Sequence, residues 1–175
     1  MSRTFKTEAI VLKKRSLLNK DSIVTFFTRE YGKVRSVAKG IKKITSRRLP
    51  HTQTANLLNI VLYNHHDRFY LQESHLISGF SEIKKNRAKM NNLYILLFII
   101  ERLLPENQPE IPVYNLTKHY LVDLSKKNDK LDVLLGKYIN QIVMVLGYST
   151  EEKPLFQLFS LIEELIHEKI PSFDI

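Results

Sequence analysis

The sequence predicts an α+β protein in two parts, a small five-stranded β-barrel over residues 1–80 followed by an all-α helical bundle over residues 81–175. Three observations predict it. Beyond Gly79 the spacing of apolar residues changes from a period of two to a period near 3.6. The charge divides at the same place, with fifteen Lys and Arg against five Asp and Glu in residues 1–80 but twelve against thirteen in residues 81–175, so the whole +9 net charge sits in the first half. An apolar fraction of 43%, with only five Gly and six Pro in 175 residues, supplies packed cores and leaves little room for a disordered tail.

The strands come first. Thr7 to Lys14, Asp21 to Thr28, Lys33 to Val37, Leu57 to Tyr63 and Arg68 to His75 are short segments rich in Val, Ile, Leu, Phe and Tyr. Glu30, Tyr31, Gly32 and Lys33 join the second strand to the third, with a glycine where a tight turn wants a positive φ. Asn64, His65, His66 and Asp67 form a similar polar link between the fourth and fifth. Five strands in about 80 residues without an intervening amphipathic helix fit a closed or nearly closed barrel of the OB type. The segment from Lys39 to Thr54 is then a long basic connection. An open five-stranded sandwich is the alternative.

The helices follow. Leu93, Leu96, Leu97 and Ile100 make one face, which Ile95, Phe98 and Ile99 widen until the helix must be buried nearly all round, and Pro105 ends it. A second helix is predicted from near Pro112 to about Lys127 and a third from Asp129 to Leu146, with Gly147 as a left-handed cap. Ser149 and Glu152 have capping-box spacing for a last helix running to Lys169, although Pro154 is an alternative first-turn marker. The longest apolar run, Leu93 to Ile100, is well short of the roughly 20 residues of a membrane-spanning helix. Arg3, Lys6 and Glu8 interrupt any secretory signal pattern, so a cytosolic location is expected.

The strongest chemical signal is a basic segment. Residues 31–66 contain no acid, and Lys33, Arg35, Lys39, Lys42, Lys43, Arg47 and Arg48 fall within sixteen positions. Cations so placed repel one another unless a polyanion screens them, and nucleic acid is the first candidate. Affinity would come chiefly from counterion release and be largely blind to sequence. Phe26, Tyr31, Tyr63 and Tyr70, with Phe27 and Phe69, are candidate rings for stacking on unpaired bases, although strand alternation sends only half of them outward.

Other chemistries find little support. With no Cys, disulfides, thiolate zinc sites and cysteine nucleophiles are excluded. His65, His66, Asp67 and His75 could in principle bind metal, but strand neighbours point to opposite faces, so a polar turn is the better reading. Glu8, Asp21, Glu30, Asp67 and Glu73 are too scattered for a two-metal nuclease, and both common glycine-rich phosphate-binding patterns are missing. Glu163, Glu164 and His167 are expected to be solvated helix surface rather than an acid–base pair. No catalytic residue, cofactor or metal is predicted.

Taken in order, Glu8 to Lys13, Asp21 to Thr28 with Glu30 to Lys33, the basic residues from Lys39 to Arg48, Leu103 to Pro105 and Leu146 to Tyr148 resemble the RecO family of DNA repair and recombination proteins. Glu8 to Lys13 is similar to that family's first strand, Asp21 to Thr28 with Glu30 to Lys33 to its second strand and hairpin, and Ala38, Lys39, Gly40, Lys42, Lys43, Ser46, Arg47 and Arg48 to its basic segment. Leu103, Leu104 and Pro105, then Leu146, Gly147 and Tyr148, follow in the family's order. The resemblance implies an N-terminal OB domain and a helical domain in a nucleoid-associated cytoplasmic protein. It also implies a non-enzymatic role: binding single- and double-stranded DNA, annealing complementary strands, and working with RecR and RecF to load RecA on DNA coated with single-strand-binding protein, whose acidic C-terminal tail the helical domain captures in some relatives. The seven cations would be DNA-backbone contacts. Many members carry a four-cysteine zinc module after the position of Leu146 to Tyr148; without Cys, zinc is not expected here. Residues 149–175 match no family motif. The alternative function is an RNA-binding or ribosome-associated OB module whose helical half docks a protein.

Overall fold

The computed structural model describes residues 4–43 and 46–172. The chain divides into two compact units: the chain up to Gly79 together with Leu104–Ile111, and Phe80–Leu103 together with the chain from Pro112 onward.

In the first unit five strands, β1 (Thr4–Ser16), β2 (Ser22–Thr28), β3 (Gly32–Ala38), β4 (Leu57–His65) and β5 (Arg68–Ser78), close into a barrel in the order β1-β2-β3-β5-β4. Each overlaps a strand expected from the sequence, and the closed order settles barrel over open sandwich. Alternation sends Ala9, Val11, Val24, Phe26, Val34, Leu58, Ile60, Leu62 and Leu71 inward to one core. β1 is thirteen residues long and pairs with β2 on one side and β4 on the other. A register shift between Val11 and Lys13 gives it the bend that closure requires.

Two turns set the strand registers. Thr28 Oγ1 accepts the Tyr31 N–H at 3.1 Å and donates to the Gly32 carbonyl at 2.8 Å, and Gly32 lies at φ 69°. His66 and Asp67, at φ 48° and 57°, form the two-residue turn between the paired His65 and Arg68, the geometry of a type I′ hairpin. The cluster of His65, His66 and Asp67 is therefore a turn, as the sequence favoured.

β3 is paired with β2 along its whole length, but on its other edge β5 meets it in parallel only at Ser36–Phe69 and Val37–Tyr70. The segment Leu104–Ile111 covers the rest of that edge. Asn107 N–H donates to the Lys33 carbonyl at 2.9 Å, and Lys33 bridges to Glu106. An open strand edge is thus satisfied by chain from beyond the first long helix.

The second unit contains α1 (Ser81–Lys84), α2 (Arg87–Leu103), α3 (Ile111–Lys126), α4 (Leu131–Val145) and α5 (Leu155–Ile166). α2 packs against α4 and α5 and is buried on most sides, through Leu93, Ile95, Leu96, Leu97, Ile99 and Ile100. Leu135, Ile139 and Ile142 of α4 and Leu158 and Ile162 of α5 complete the buried stripes. At the end of α4, Tyr148 N–H donates to the Val143 carbonyl and Gly147 N–H to Met144, with Gly147 at φ 79°, a Schellman cap. The capping box does not form: Ser149 Oγ donates to the Glu151 carbonyl, and α5 begins at Leu155 behind an extended Pro154. The entry is set instead by Asn140, whose side-chain amide exchanges two 2.9 Å hydrogen bonds with the Lys153 backbone. No helix among the described residues is long and apolar enough to cross a membrane.

Candidate nucleic-acid interface

Alternation along β3 puts Val34 and Ser36 inside and Arg35 and Val37 outside, and the exposed Lys39 follows just past the strand end. Val37 pairs with Tyr70 of β5, and Tyr70 with Tyr63 of β4. One row across the barrel wall therefore carries two tyrosines beside a line of cations. A groove of about 670 Å³ lies over this row, lined by Val37, Lys39, Arg48, Tyr63, His65, Tyr70, Leu71, Gln72 and Glu73. Lys39 Nζ stands 4.8 Å from the centre of the Tyr70 ring, a cation–π distance. The Tyr63 ring is stacked on His65 at 6.1 Å with 15° between planes.

Of the four candidate stacking rings, Tyr63 and Tyr70 line the groove. Phe26 does not: its ring is wholly buried in the barrel core, because its strand position faces inward. Tyr31 packs edge-on against Phe5 at 5.1 Å on the margin of that core.

The seven cations separate by their surroundings. Lys39, Lys43 and Arg47 are exposed. Arg35 is exposed but ion-paired with Glu106 at 2.7 Å. Lys33 is only 6% exposed, its neighbourhood closed by the covering segment. Lys42 Nζ donates to the Leu17 carbonyl at 2.6 Å. Arg48 donates to three backbone carbonyls, Leu71 at 2.6 Å, Lys39 at 2.8 Å and Gln72 at 3.4 Å. Such bonds leave the positive charge intact while committing one of the three ammonium donors of Lys42 and much of the Arg48 fork. Residues 44 and 45 of the same connection lie outside the described residues.

The connection is also anchored at both ends. Asp21 Oδ1 accepts the Gly40 N–H at 2.7 Å, and His51 Nδ1 lies 2.9 Å from the Ser74 carbonyl. What sequence reasoning missed was Glu106, Gln72, Glu73 and the groove position of His65. The alternation of Arg35, Val37 and Lys39 was available as a signal for the row; the approach of Glu106 had none.

In the second unit Glu163 is engaged by its neighbours rather than paired with His167. Glu163 accepts from Lys169 Nζ at 2.6 Å and from the Ile170 N–H at 3.0 Å. The Lys169 ammonium first, then the backbone N–H, hold its carboxyl below the usual range, so it is a fixed carboxylate. Among the described residues no group of three or more His, Cys, Asp or Glu is arranged to hold a metal ion.

Residues 1–80 match the family described as Recombination protein O N terminal. The chain is similar to the DNA repair protein RecO of Caldanaerobacter subterraneus subsp. tengcongensis, 34% identical over 146 residues that cover 83% of this chain and 59% of the relative. It is 32% identical to the DNA repair protein RecO of Thermoanaerobacter sp. over 146 residues, again 83% of this chain and 59% of the relative. To that of Listeria welshimeri serovar 6b it is 30% identical over 149 residues, 85% of this chain and 58% of the relative. The matched region thus spans somewhat under three fifths of the length of these curated relatives.

Proposed function

The chain belongs to the RecO family, and on that premise we propose that it is a non-enzymatic DNA-binding and strand-annealing mediator of recombinational DNA repair. The observation that carries the reading is the groove lined by Tyr63, Tyr70 and Lys39, together with the exposure of Lys43 and Arg47 in the basic segment that follows Lys39. Phosphates gather on the cations with release of counterions, and unpaired bases lie against the two rings, each stacked base contributing about 1–3 kcal/mol. Two strands neutralised on such a surface repel each other less, so complementary bases can meet. Lys39, Lys43 and Arg47 are the direct phosphate contacts in this reading; Arg35 joins them when Glu106 releases it. Phe26 and Lys33, being buried, are not part of the proposed surface.

The proposal extends to partners and location. Residues 1–80 bind single- and double-stranded DNA, and residues 81–175 serve protein contacts. With RecR and RecF the protein assists loading of RecA on DNA coated with single-strand-binding protein, whose acidic C-terminal tail is the ligand for the helical part. Its place is the cytoplasm, at the nucleoid. This sequence contains no Cys, and the proposed mechanism uses no zinc.

The test is fluorescence anisotropy of labelled single-stranded DNA, duplex DNA and hairpin RNA over a salt series, followed by mixing complementary strands in the same samples. Tight, salt-sensitive binding to both DNA forms with faster annealing supports the proposal. A clear preference for the RNA hairpin, or annealing no faster than without protein, transfers the function to the RNA-binding module.

A further inference from the structure

The β3–β5 ladder contains only two residue pairs and ends at Val37–Tyr70. Lys39 lies beyond it, yet its ammonium sits 4.8 Å from the Tyr70 ring centre. What spans the gap is Arg48. Its Nη2 donates to the carbonyl of Lys39 at 2.8 Å and its Nη1 to the carbonyl of Leu71, the neighbour of Tyr70, at 2.6 Å. One planar fork therefore grips the chain at both members of the cation–π pair. We propose that Arg48 is a positioning residue for the nucleic-acid groove, holding Lys39 over Tyr70 where a phosphate can meet the ammonium while its base lies on the ring. The functional half of this inference rests on the interface reading above.

The geometry calls for arginine in particular. A guanidinium directs donors along fixed, separate lines and reaches two carbonyls at once, whereas a lysine ammonium is a single point at the end of a flexible stem. Arg48 is also not the sole anchor of its segment. His51 ties the same connection to β5 through Ser74, and Asn56 Nδ2 donates to the carbonyls of Pro50 and His51 at 3.1 and 2.8 Å. Loss of the fork thus removes the tie between Lys39 and Leu71, and with it the hold on the Lys39–Tyr70 contact, without releasing the connection, which Asp21 still holds at Gly40.

The test compares Arg48→Lys, Lys39→Ala and the double variant with the unaltered protein, using a labelled oligothymidylate at 0.1 M salt. Lys39→Ala is expected to weaken binding on the order of fivefold, the share of one phosphate contact on a single strand. Arg48→Lys keeps the charge, so positioning predicts the same loss, with nothing added in the double variant. Wild-type affinity in Arg48→Lys, or losses that multiply in the double variant, would overturn the proposal in favour of direct phosphate contact. Two nuclear magnetic resonance measurements complete the test. Without DNA, the ring-current shift of the Lys39 side-chain protons should disappear in Arg48→Lys; its persistence counts against the fork. In the unaltered protein, the Arg48 guanidinium signals should stay in place on saturation with oligothymidylate while Lys39 moves, and a joint shift overturns the assignment. If Lys39→Ala binds as tightly as wild type, the interface reading fails at this groove, whereas the ring-current measurement still reports on the fork alone.

Discussion

Arg35 on β3 donates its Nε–H to Glu106 Oε1 at 2.7 Å, so a cation of the outward row is matched by a carboxylate from the segment that covers the strand edge. Both side chains are substantially exposed, at 59% and 40%. An exposed pair of this kind contributes only about 0–1 kcal/mol to stability, so its larger effect is on the charge the row presents. Glu106→Gln should leave the melting temperature nearly unchanged and strengthen binding to single-stranded DNA on the order of fivefold at 0.1 M salt. Unchanged affinity in an anisotropy titration would place Arg35 outside the path of the strand.

Gly32 carries two constraints at once. Its φ is 69°, and a Cβ there would stand 1.8 Å from the Gln108 carbonyl oxygen, a backbone atom with no side-chain freedom to yield. Gly32→Ala should destabilise the barrel by at least about 2 kcal/mol, measured by urea denaturation. Gly147, at φ 79° with nothing within 4 Å of its Cβ position, is the matching control. Alanine there should cost only the left-handed backbone term of about 1–2 kcal/mol. Equal losses at the two positions would show that the covering segment yields.

Lys39, Lys43 and Arg47 are the exposed members of the basic segment besides the ion-paired Arg35, while Lys42 donates to the Leu17 carbonyl. Replacing the first three together by Ala should weaken binding to all DNA sequences alike and flatten the log–log salt dependence by about 0.7–0.9 for each phosphate that is no longer neutralised. Replacing Lys42 alone should leave that slope intact. Equal slopes for the triple variant and wild type would move the site to another face.

Ile142 on α4 is 1% exposed and Val133 on the same helix is 69% exposed. Ile142→Ala is expected to destabilise by about 2–5 kcal/mol, and Val133→Ala by no more than about 0.5 kcal/mol. Thermal denaturation of the two variants checks the helical register directly.

Tyr138 donates its hydroxyl to Asp123 Oδ2 at 2.7 Å, and burial first, with that carboxylate second, pushes its pKa up to about 12. The folded value lies above the unfolded one near 10, so the folded state binds the proton more tightly. This contribution is complete below pH 10 and is lost as pH rises through 12. Urea denaturation across that range should show the loss, and Tyr138→Phe should remove this contribution to the pH dependence. An identical alkaline profile in the variant would assign the loss to other groups.

The four longer helices and all five strands were legible because their signals are local. The β-branched and aromatic richness of β2 and β4, the apolar girth of α2 and the glycines at 32 and 147 depend on residues within a few positions of one another. Where two local rules competed, at Ser149 and Pro154, the Asn140 amide decided, and it comes from another helix. The candidate site was legible only in part. The basic segment and Tyr63 and Tyr70 could be named, but Phe26 could not be separated from them, since a strand's inward parity becomes certain only when its partner's register is known.

By itself, then, the sequence determined the two kinds of secondary structure, the side of the chain that carries the charge, and the absence of thiol chemistry, because composition and short-range periodicity are properties of neighbouring residues. Only the tertiary structure decided which cations remain available. Lys33 is covered and Arg35 neutralised by a segment about seventy residues further along, and Arg48 is held by carbonyls of Leu71 and Gln72 on β5 and of Lys39. The reason is physical: whether a charge meets solvent, a carboxylate or a carbonyl depends on distances of a few ångströms between parts of the chain that only folding brings together.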